Sequence, residues 1–469
     1  MRKKLFAGPK VRALRDREGF SLQACAERLG VSISYLSQIE SNQRPVTTRV
    51  LLALTSLFEA PADYFEMEDD QRLAADLRQA LAESGASGPQ MSLTEIKRAA
   101  NSVPTLVRRF VALHRANERL NERLHFTDQA VSLDENVAAS SLLPYEEVRD
   151  FFSDRDNYIH PLDTAAEGIA EDIDRQPGAT GEAKLATYLE RRLGIAVQYT
   201  ATDDVMRRFS PDAGRLELNP SQQVTTRVFQ LGYQIVATLL SDEIERELTT
   251  AGFRTRAAVD VCRVGLANYA AGALLMPYRR FAAAARESRH DLEHLSLLFQ
   301  ASLEQVCHRL STLQRPDEGG LPFYFVRMDH AGNITKRHSA TPFRFARFGG
   351  ACPVWNIHEA ISGPDRFLTQ VAEMPDGARY VCLARAITKP SGSFSVPDRR
   401  YILGLGCDLR HAHNLVYFDG VNLSAPPARI GVSCRICERN DCAQRAFPPL
   451  DRPLVVTEGE RRVVPFRLD

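Results

Sequence analysis

The chain has 469 residues, of which 44% are hydrophobic and 25% charged. That is the balance of ordinary globular protein, with enough length for about three domains that each bury a core. Lys plus Arg and Asp plus Glu both number 59, so the net charge is zero and no overall field steers a partner. Any anion site must come from local charge. The longest nearly apolar run, Val264 to Tyr278, contains Asn268 and is fenced by Arg263 and Arg279. It falls short of the about 20 residues a membrane span needs.

Residues 1–20 hold seven basic side chains against two acidic, a local excess of five. The start, MRKKLFAGP, lacks the apolar core of a signal peptide, so the expectation is a cytoplasmic protein. In a reducing compartment nine cysteines are not disulfides, and three packed into Cys434–Cys442 point to a metal or cluster.

From the N-terminus, VRALRDRE (11–18) reads as a short helix stopped by Gly19. Ser21 is placed to cap a second helix, SLQACAERL, with Leu22, Cys25, Ala26 and Leu29 on one face. Gly30 supplies a left-handed turn, and Ser32 caps a third helix, SISYLSQIE. Two short helices around a glycine turn make the helix-turn-helix plan, whose second helix enters the major groove. The string G-V-S-x-S-Y-L-S-x-I-E-x-x-x-R-x-P resembles the Xre-type repressor family. The resemblance implies that Ile33, Ser34 and Gln38 face the bases, while Ser32, Tyr35 and Arg44 lie near phosphates. Gln38 suits adenine bidentately, and Ile33 suits a thymine methyl.

Met67 to Gln90 turns acidic and then small and polar, which reads as a linker. Residues 92–125 carry a helical pattern with the basic run RRFVALHRANERLNERL, a dimer or bundle helix with solvated charges. A two-fold protein would match two half-sites one helical turn apart.

Residues 185–315 alternate strand-like and helical segments. LGIAVQY and GRLELNP read as strands, and VTTRVFQLGYQIVATLLSDEIEREL as one long helix. Followed by ANYAAGALLMP, this order resembles the ImmA/IrrE metallopeptidase family, whose helix carries His-Glu-x-x-His. Here the matching positions read Phe229-Gln230-Leu231-Gly232-Tyr233. Phenylalanine cannot ligate zinc, tyrosine is a rare ligand, and glutamine is no base at neutral pH. The third ligand, a carboxylate before Ala267-Asn268, is replaced by Val-Cys-Arg-Val-Gly-Leu. The hydrolytic route is closed, leaving a catalytically dead scaffold.

From Leu321 the pattern is strand-rich: PFYFVRMD, GNITKRHS, ARYVCLARAITK, RRYILGLGCDL and NLVYF. An antiparallel sheet with a few helices is expected, PAS- or GAF-like. Cys434-x2-Cys437-x4-Cys442 brings three thiolates together on a turn, as zinc or an iron–sulfur cluster requires. A fourth ligand must come from elsewhere, and Cys352 in Gly-Gly-Ala-Cys-Pro is the choice. Cys407 reads as a core thiol, as do Cys25, Cys262, Cys307 and Cys382. Arg344 and Arg347 lie among Phe343, Phe345 and Phe348, near Trp355 and His358. Guanidinium forks and aromatic faces suit a nucleotide-like ligand such as coenzyme A, although an amphipathic strand with exposed arginines has the same spacing. Asp408, His411 and His413 read as a loop with solvated histidines.

RKKLFAG, FQLGY, GGACPVWNIHEA, LGCDLRHA and CRICERNDCAQRAFPPL together resemble the short-chain fatty acyl regulator family, from Arg2 to about Leu450. The nearest resemblance is to bacterial regulators of propionyl-CoA and acetyl-CoA assimilation. It implies a cytoplasmic transcription factor, not an enzyme, that binds an operator and senses a short acyl-CoA. It also implies a [4Fe-4S] cluster rather than zinc at Cys434, Cys437 and Cys442, with Cys352 the inferred fourth ligand. The acyl-CoA would meet Arg344, Arg347, Trp355 and His358. The expected architecture is multidomain α+β: an all-α helix-turn-helix domain (1–66), a helical linker and dimerisation region (67–180), a degenerate zincin-like domain (181–315) and a mixed α+β sensor domain (316–469). A homo-oligomer is expected, a dimer or a dimer of dimers, with no membrane partner. The alternative function is an iron–sulfur redox-sensing transcription factor.

Overall fold

The computed structural model describes residues 7–41, 43–58, 68–83, 91–114, 135–175, 181–201, 205–343, 345, 351–363, 365–391, 394–449, 453–456, 459–464 and 466–468. The chain divides into two compact units, Met1–Asp128 and Gln129–Asp469.

The first unit is helical. After α1 (Gly8–Arg17), the Ser21 hydroxyl accepts the Ala24 N–H to cap α2 (Leu22–Leu29). Gly30 ends that helix at φ +64, a conformation only glycine takes without cost. Ser32 caps α3 (Ile33–Glu40) by accepting the Tyr35 N–H. Such caps are each worth about 1 kcal/mol, and both stand where the sequence placed them. With α4 (Thr48–Phe58), these helices bury Val11, Leu14, Cys25, Leu36, Ile39 and Leu54.

The stretch read as a linker from Met67 is a helix over most of its length, α5 (Glu68–Glu83). Its acidic composition hides an apolar stripe, Leu73, Leu77 and Ala80, which packs on α6 (Leu93–Ser102) and α7 (104–114) through Ile96, Ala100, Val107 and Val111. Residues 115–125 of the expected helical run lie outside the described residues.

In the second unit, α8 (Glu135–Ser153), α9 (His160–Asp174) and α10 (Gly181–Leu193) precede a three-stranded sheet. Its strands are β1 (Ala196–Tyr199), β2 (Arg207–Ser210) and β3 (Arg215–Leu218), in order β1-β3-β2, with β1 and β3 parallel. Sequence patterning missed β2, because Arg-Arg-Phe-Ser shows no apolar alternation. The single long helix expected from Val224 breaks at Leu240 into α11 (Val224–Leu239) and α12 (Ser241–Ala251).

α13 (Arg256–Leu275) forms the centre, packed on α8, α9, α11 and α12. It runs past the apolar stretch seen in sequence and is long and apolar enough to cross a membrane, yet more than half of its most apolar stretch is buried inside the protein. α8 and α9, read with the linker, contribute Val148, Phe152, Leu162 and Ala166 to this same core.

Three helices, α14 (Tyr278–Glu287), α15 (Leu292–Leu298) and α16 (Leu303–Leu310), lead to a six-stranded sheet. It comprises β4 (Tyr324–Asp329), β5 (Ile334–Ser339), β6 (Leu368–Glu373), β7 (Arg379–Lys389), β8 (Arg399–Asp408) and β9 (Ala428–Arg429), in order β5-β4-β8-β7-β6-β9. All pairs are antiparallel except β6 with β9. Alternate residues of the central strands face opposite sides. Phe325, Val381, Leu383, Leu403 and Leu405 meet α14–α16, whereas Tyr324, Val326, Cys382 and Ile402 meet Trp355 and Ile357. The last expected strand, NLVYF, is instead a 3-10 turn (Val416–Phe418), whose Val416 N–H goes to the Arg289 carbonyl.

A buried charge network ties the helices to the sheet. Asp163 on α9, fully buried, receives Arg309 at 2.6 and 3.1 Å, Arg315 at 3.3 Å and the Tyr269 hydroxyl at 2.7 Å. Burial pushes the Asp163 carboxyl up, but Arg309, Tyr269 and Arg315 outweigh it and hold the pKa below the usual carboxylate range.

Candidate functional site: recognition helix and cysteine cavity

α3 presents its outer face to solvent. Leu36 and Ile39 anchor it in the core, which turns Ser32, Ile33 and Ser34 into solvent. Ile33 is 46% exposed on an otherwise polar face, so it adds little to the core. The Gln38 carbonyl accepts the N–H groups of Gln43 and Arg44 at 2.8 and 3.0 Å, folding the chain back at the helix end. That places the Arg44 guanidinium 5.6 Å over the Tyr35 ring, with Arg44 itself exposed. The six residues singled out from sequence therefore share α3 and the turn after it. A seventh feature was missed: Arg15 forks onto Glu40 at 2.6 and 3.0 Å, fixing α3 against α1.

The helix that would carry a metallopeptidase motif is α11. Leu231 and Gly232 are buried, while Phe229 and Tyr233 pack partly buried against the core. The Arg207 guanidinium lies 3.8 Å over the Tyr233 ring and donates to Gln234 Oε1 at 3.3 Å. A fixed organic cation thus covers one of the two positions at which the motif has its histidines.

Cys352, Cys434, Cys437 and Cys442 line one cavity, with Arg429, Arg439 and Arg445 around it. All four thiols are free; Cys352 and Cys437 are buried, and Cys434 and Cys442 half-buried. Cys434 opens a 3-10 turn (Cys434–Ile436) that Cys437 closes through its N–H to the Cys434 carbonyl. The buried Arg445 clamps this loop, donating to the carbonyls of Cys434 at 3.0 Å and Cys437 at 3.1 Å, and to that of Arg439. A Cβ on Gly431 would stand 2.8 Å from the Cys437 sulfur, so only glycine leaves room there. Burial pushes the Cys352 thiol up, opposed by the backbone N–H groups of Gly431 and Val354. Among the described residues no three His, Cys, Asp or Glu side chains are already gathered as for a single metal ion.

Trp355 and His358 sit directly behind Cys352. Trp355 is 4% exposed and packs among Tyr324, Phe343 and Phe345. Burial holds the His358 pKa below the usual imidazole range, opposed by the nearby backbone of Ala351 and Cys352, and its Nε2 is buried without a hydrogen-bond partner among the described residues. Arg344 and Arg347 lie outside the described residues. Asp408, for its part, caps a 3-10 turn (Leu409–Asn414) by accepting the Arg410 N–H. The remaining cysteines are core: burial pushes Cys262, Cys307 and Cys382 each up to about 12 and Cys407 further up.

Three family models tile the chain. A helix-turn-helix domain matches residues 8–66, an IrrE N-terminal-like domain 190–311, and the short-chain fatty acyl coenzyme A regulator C-terminal domain 312–466. The propionyl-CoA carboxylase regulator of Cereibacter sphaeroides is 45% identical over 100% of both chains. The chain belongs to the short-chain fatty acyl coenzyme A regulator family. The regulator is also 40% identical to the HTH-type transcriptional regulator PrpR of Mycobacterium tuberculosis, over 98% of this chain and 95% of that one. RamB of the same species, likewise an HTH-type transcriptional regulator, is 39% identical over 99% and 98%. A solved Mycobacterium tuberculosis transcriptional regulator superposes with a TM-score of 0.66 at 44% identity, covering 69% of this chain and 99% of its own. The regulator accordingly combines a DNA-binding module with an acyl-CoA regulator module in one chain, and its function is DNA-binding regulation of acyl-CoA metabolism.

Proposed function

We propose that the regulator binds its operator through α3 as a dimer or dimer of dimers in the cytoplasm, and that a short-chain acyl-CoA, propionyl-CoA or acetyl-CoA, sets its DNA affinity. The observation that carries this is the joint presence of an exposed reading face on α3 and a four-thiol cavity in the C-terminal module. A ligand shifts such a system only by its difference in affinity for the two states. Arg344 and Arg347, with Trp355 and His358, are the sequence-derived contacts for the coenzyme's phosphates and acyl end. The role is non-catalytic, because Phe229 and Tyr233 do not make a ligand pair and Arg207 covers Tyr233.

Cys352, Cys434, Cys437 and Cys442 fit a [4Fe-4S] cluster better than they fit an idle role. Four free thiols share one cavity, glycine keeps it open beside Cys437, and arginines offset thiolate charge. Zinc is the alternative for the same four ligands. The group, when bound, would join the 351–355 and 433–442 loops by metal–thiolate bonds. The chain's own residues set the second loop, where Arg445 fixes the carbonyls of Cys434 and Cys437.

The test is a DNA-shift titration of anaerobically purified protein with propionyl-CoA, acetyl-CoA and free CoA, alongside a visible spectrum and iron assay. Affinity that changes with one acyl-CoA but not with CoA supports the reading. A second reading, redox sensing, is favoured by the free thiols alone; in that case air changes DNA affinity with no ligand added.

A further inference from the structure

A polar layer lies between α16 and the edge strand β5, apart from both α3 and the cysteines. Glu304 and His308, one turn apart on α16, meet Arg327 on β4, Lys336 and His338 on β5, and Lys389 on β7. Three cations thus surround one carboxylate. Both of its oxygens are taken, Oε1 by Arg327 at 2.7 Å and Oε2 by Lys389 at 2.6 Å. Lys336 stands opposite Arg327 in the β4–β5 register and, among the described residues, has no carboxylate oxygen within ion-pair distance. Tyr401 on β8 offers its ring to Arg327 and Lys389. From α8, Glu146 pairs with Arg149 and with Arg337, the residue after Lys336. Burial pushes the half-buried Lys336 amine down to about 8; Glu304 opposes the shift, and Arg327 and Lys389 add to it.

A base stands in the same layer. His308 and His338 meet ring to ring at 4.4 Å, and burial holds both well below the usual imidazole range. The Asn157 amide donates to the Ser339 carbonyl, so its Oδ1 accepts from His338 Nδ1 at 3.1 Å. That tautomer leaves the lone pair on His338 Nε2, two residues from Lys336 on the same face of the strand.

We propose that Lys336 is an acylation site, whose amine takes the acyl group of a short-chain acyl thioester. A desolvated amine beside other cations is how proteins make lysine a nucleophile. The nitrogen attacks the thioester carbonyl, the C–N bond forms and the C–S bond breaks. The proton shed by nitrogen passes to His338 Nε2 and on to the departing thiolate, which leaves as the free thiol. The product is a neutral amide, so two cations instead of three surround Glu304. The thioester as donor rests on the reading of the chain as an acyl-CoA-responsive regulator; the reactivity of the amine does not.

The chain has seven lysines, so the other six serve as internal standards. Full-length protein is incubated with propionyl-CoA over a range of pH, and in parallel with the N-hydroxysuccinimide ester of acetic acid, and each lysine is scored by peptide mass spectrometry. At pH 8 about half of the Lys336 amine is uncharged, against less than about 1% of an ordinary lysine. Lys336 is therefore expected to acylate about tenfold or more faster than the other six, with a rate that levels off above its midpoint while theirs keep rising. Lys389→Gln, first shown to melt like wild type, removes a neighbouring cation and should move that midpoint upward. Lys336 labelled no faster than the rest by either reagent overturns the proposal. Labelling by the ester alone overturns the thioester as donor. The acyl-CoA reading is scored separately, by the DNA shift of Lys336→Arg protein: a retained response to propionyl-CoA keeps that reading when the labelling fails.

Discussion

Gln38 and Arg44 share α3 and the turn after it, and on the proposed reading they do different work, Gln38 at a base and Arg44 at a phosphate, so each predicts its own signature. Gln38→Ala removes a bidentate base contact, so it should cost about 1–3 kcal/mol and relax discrimination at one base pair. Arg44→Ala removes a phosphate partner, weakening all sequences alike and lowering the salt dependence by about one counterion. Affinity titrations at several salt concentrations, on operator and scrambled duplexes, separate the two. Asp163 makes the opposite kind of prediction, since it touches no ligand. Asp163→Ala leaves Arg309, 2% exposed in its side chain, without its charge partner and should destabilise the second unit by about 3–5 kcal/mol in urea melts. The pH sign follows from its lowered pKa. The stabilisation is full above the unfolded carboxyl value of about 3.9 and is lost as pH falls through the lower folded value.

The central strands show why a sheet can be legible in outline and hidden in detail. Apolar alternation marked β4, β7 and β8 within a few residues, because each faces packed layers on both sides. Gly404 and Gly406 in β8 look like weak points in a strand, yet they are what lets the second layer close. A Cβ on Gly406 would stand 2.5 Å from the Tyr324 hydroxyl and 2.4 Å from the Val381 carbonyl. Gly406→Ala should therefore lower stability by about 1–3 kcal/mol or more, read as a fall in melting temperature with DNA binding by the first unit intact. α5 and β2 were illegible for a different reason. β2 is held by its hairpin pairing with β3, which a charged Arg-Arg-Phe-Ser does not announce, and the acidic composition of α5 conceals a narrow apolar stripe. The cysteine cavity stood between these extremes. The triad's spacing was visible, and Cys352 was reached only because a proline followed it, while Arg445, which organises the loop, gave no signal in sequence beyond its charge.

Two family models meet at 311/312, but the fold does not part there. Arg309 lies on one side of that boundary and Arg315 on the other, and both reach the same buried carboxylate. The core of α14–α16 is likewise shared with the sheet that follows. Residues 129–469 should consequently express and melt as one cooperative fragment, whereas a fragment cut at 311/312 should be insoluble or molten. Coincident melting by far- and near-ultraviolet circular dichroism checks the first expectation, and dye binding to exposed apolar surface checks the second. Sequence reading put its boundary at 315/316, with both arginines in one domain and Asp163 in the helical linker, since a buried ion network leaves no mark in composition or spacing.

Trp355 is the only tryptophan of the chain, 4% exposed, three residues from Cys352 and packed beside Phe343. Nature has thereby installed a single optical reporter, at the seat of the proposed cluster, in a protein whose other modules are dark at that wavelength. Its emission reports the 351–355 loop and its aromatic neighbours, so loading of the cysteines, or a ligand on Trp355, can be followed in the intact, unlabelled protein.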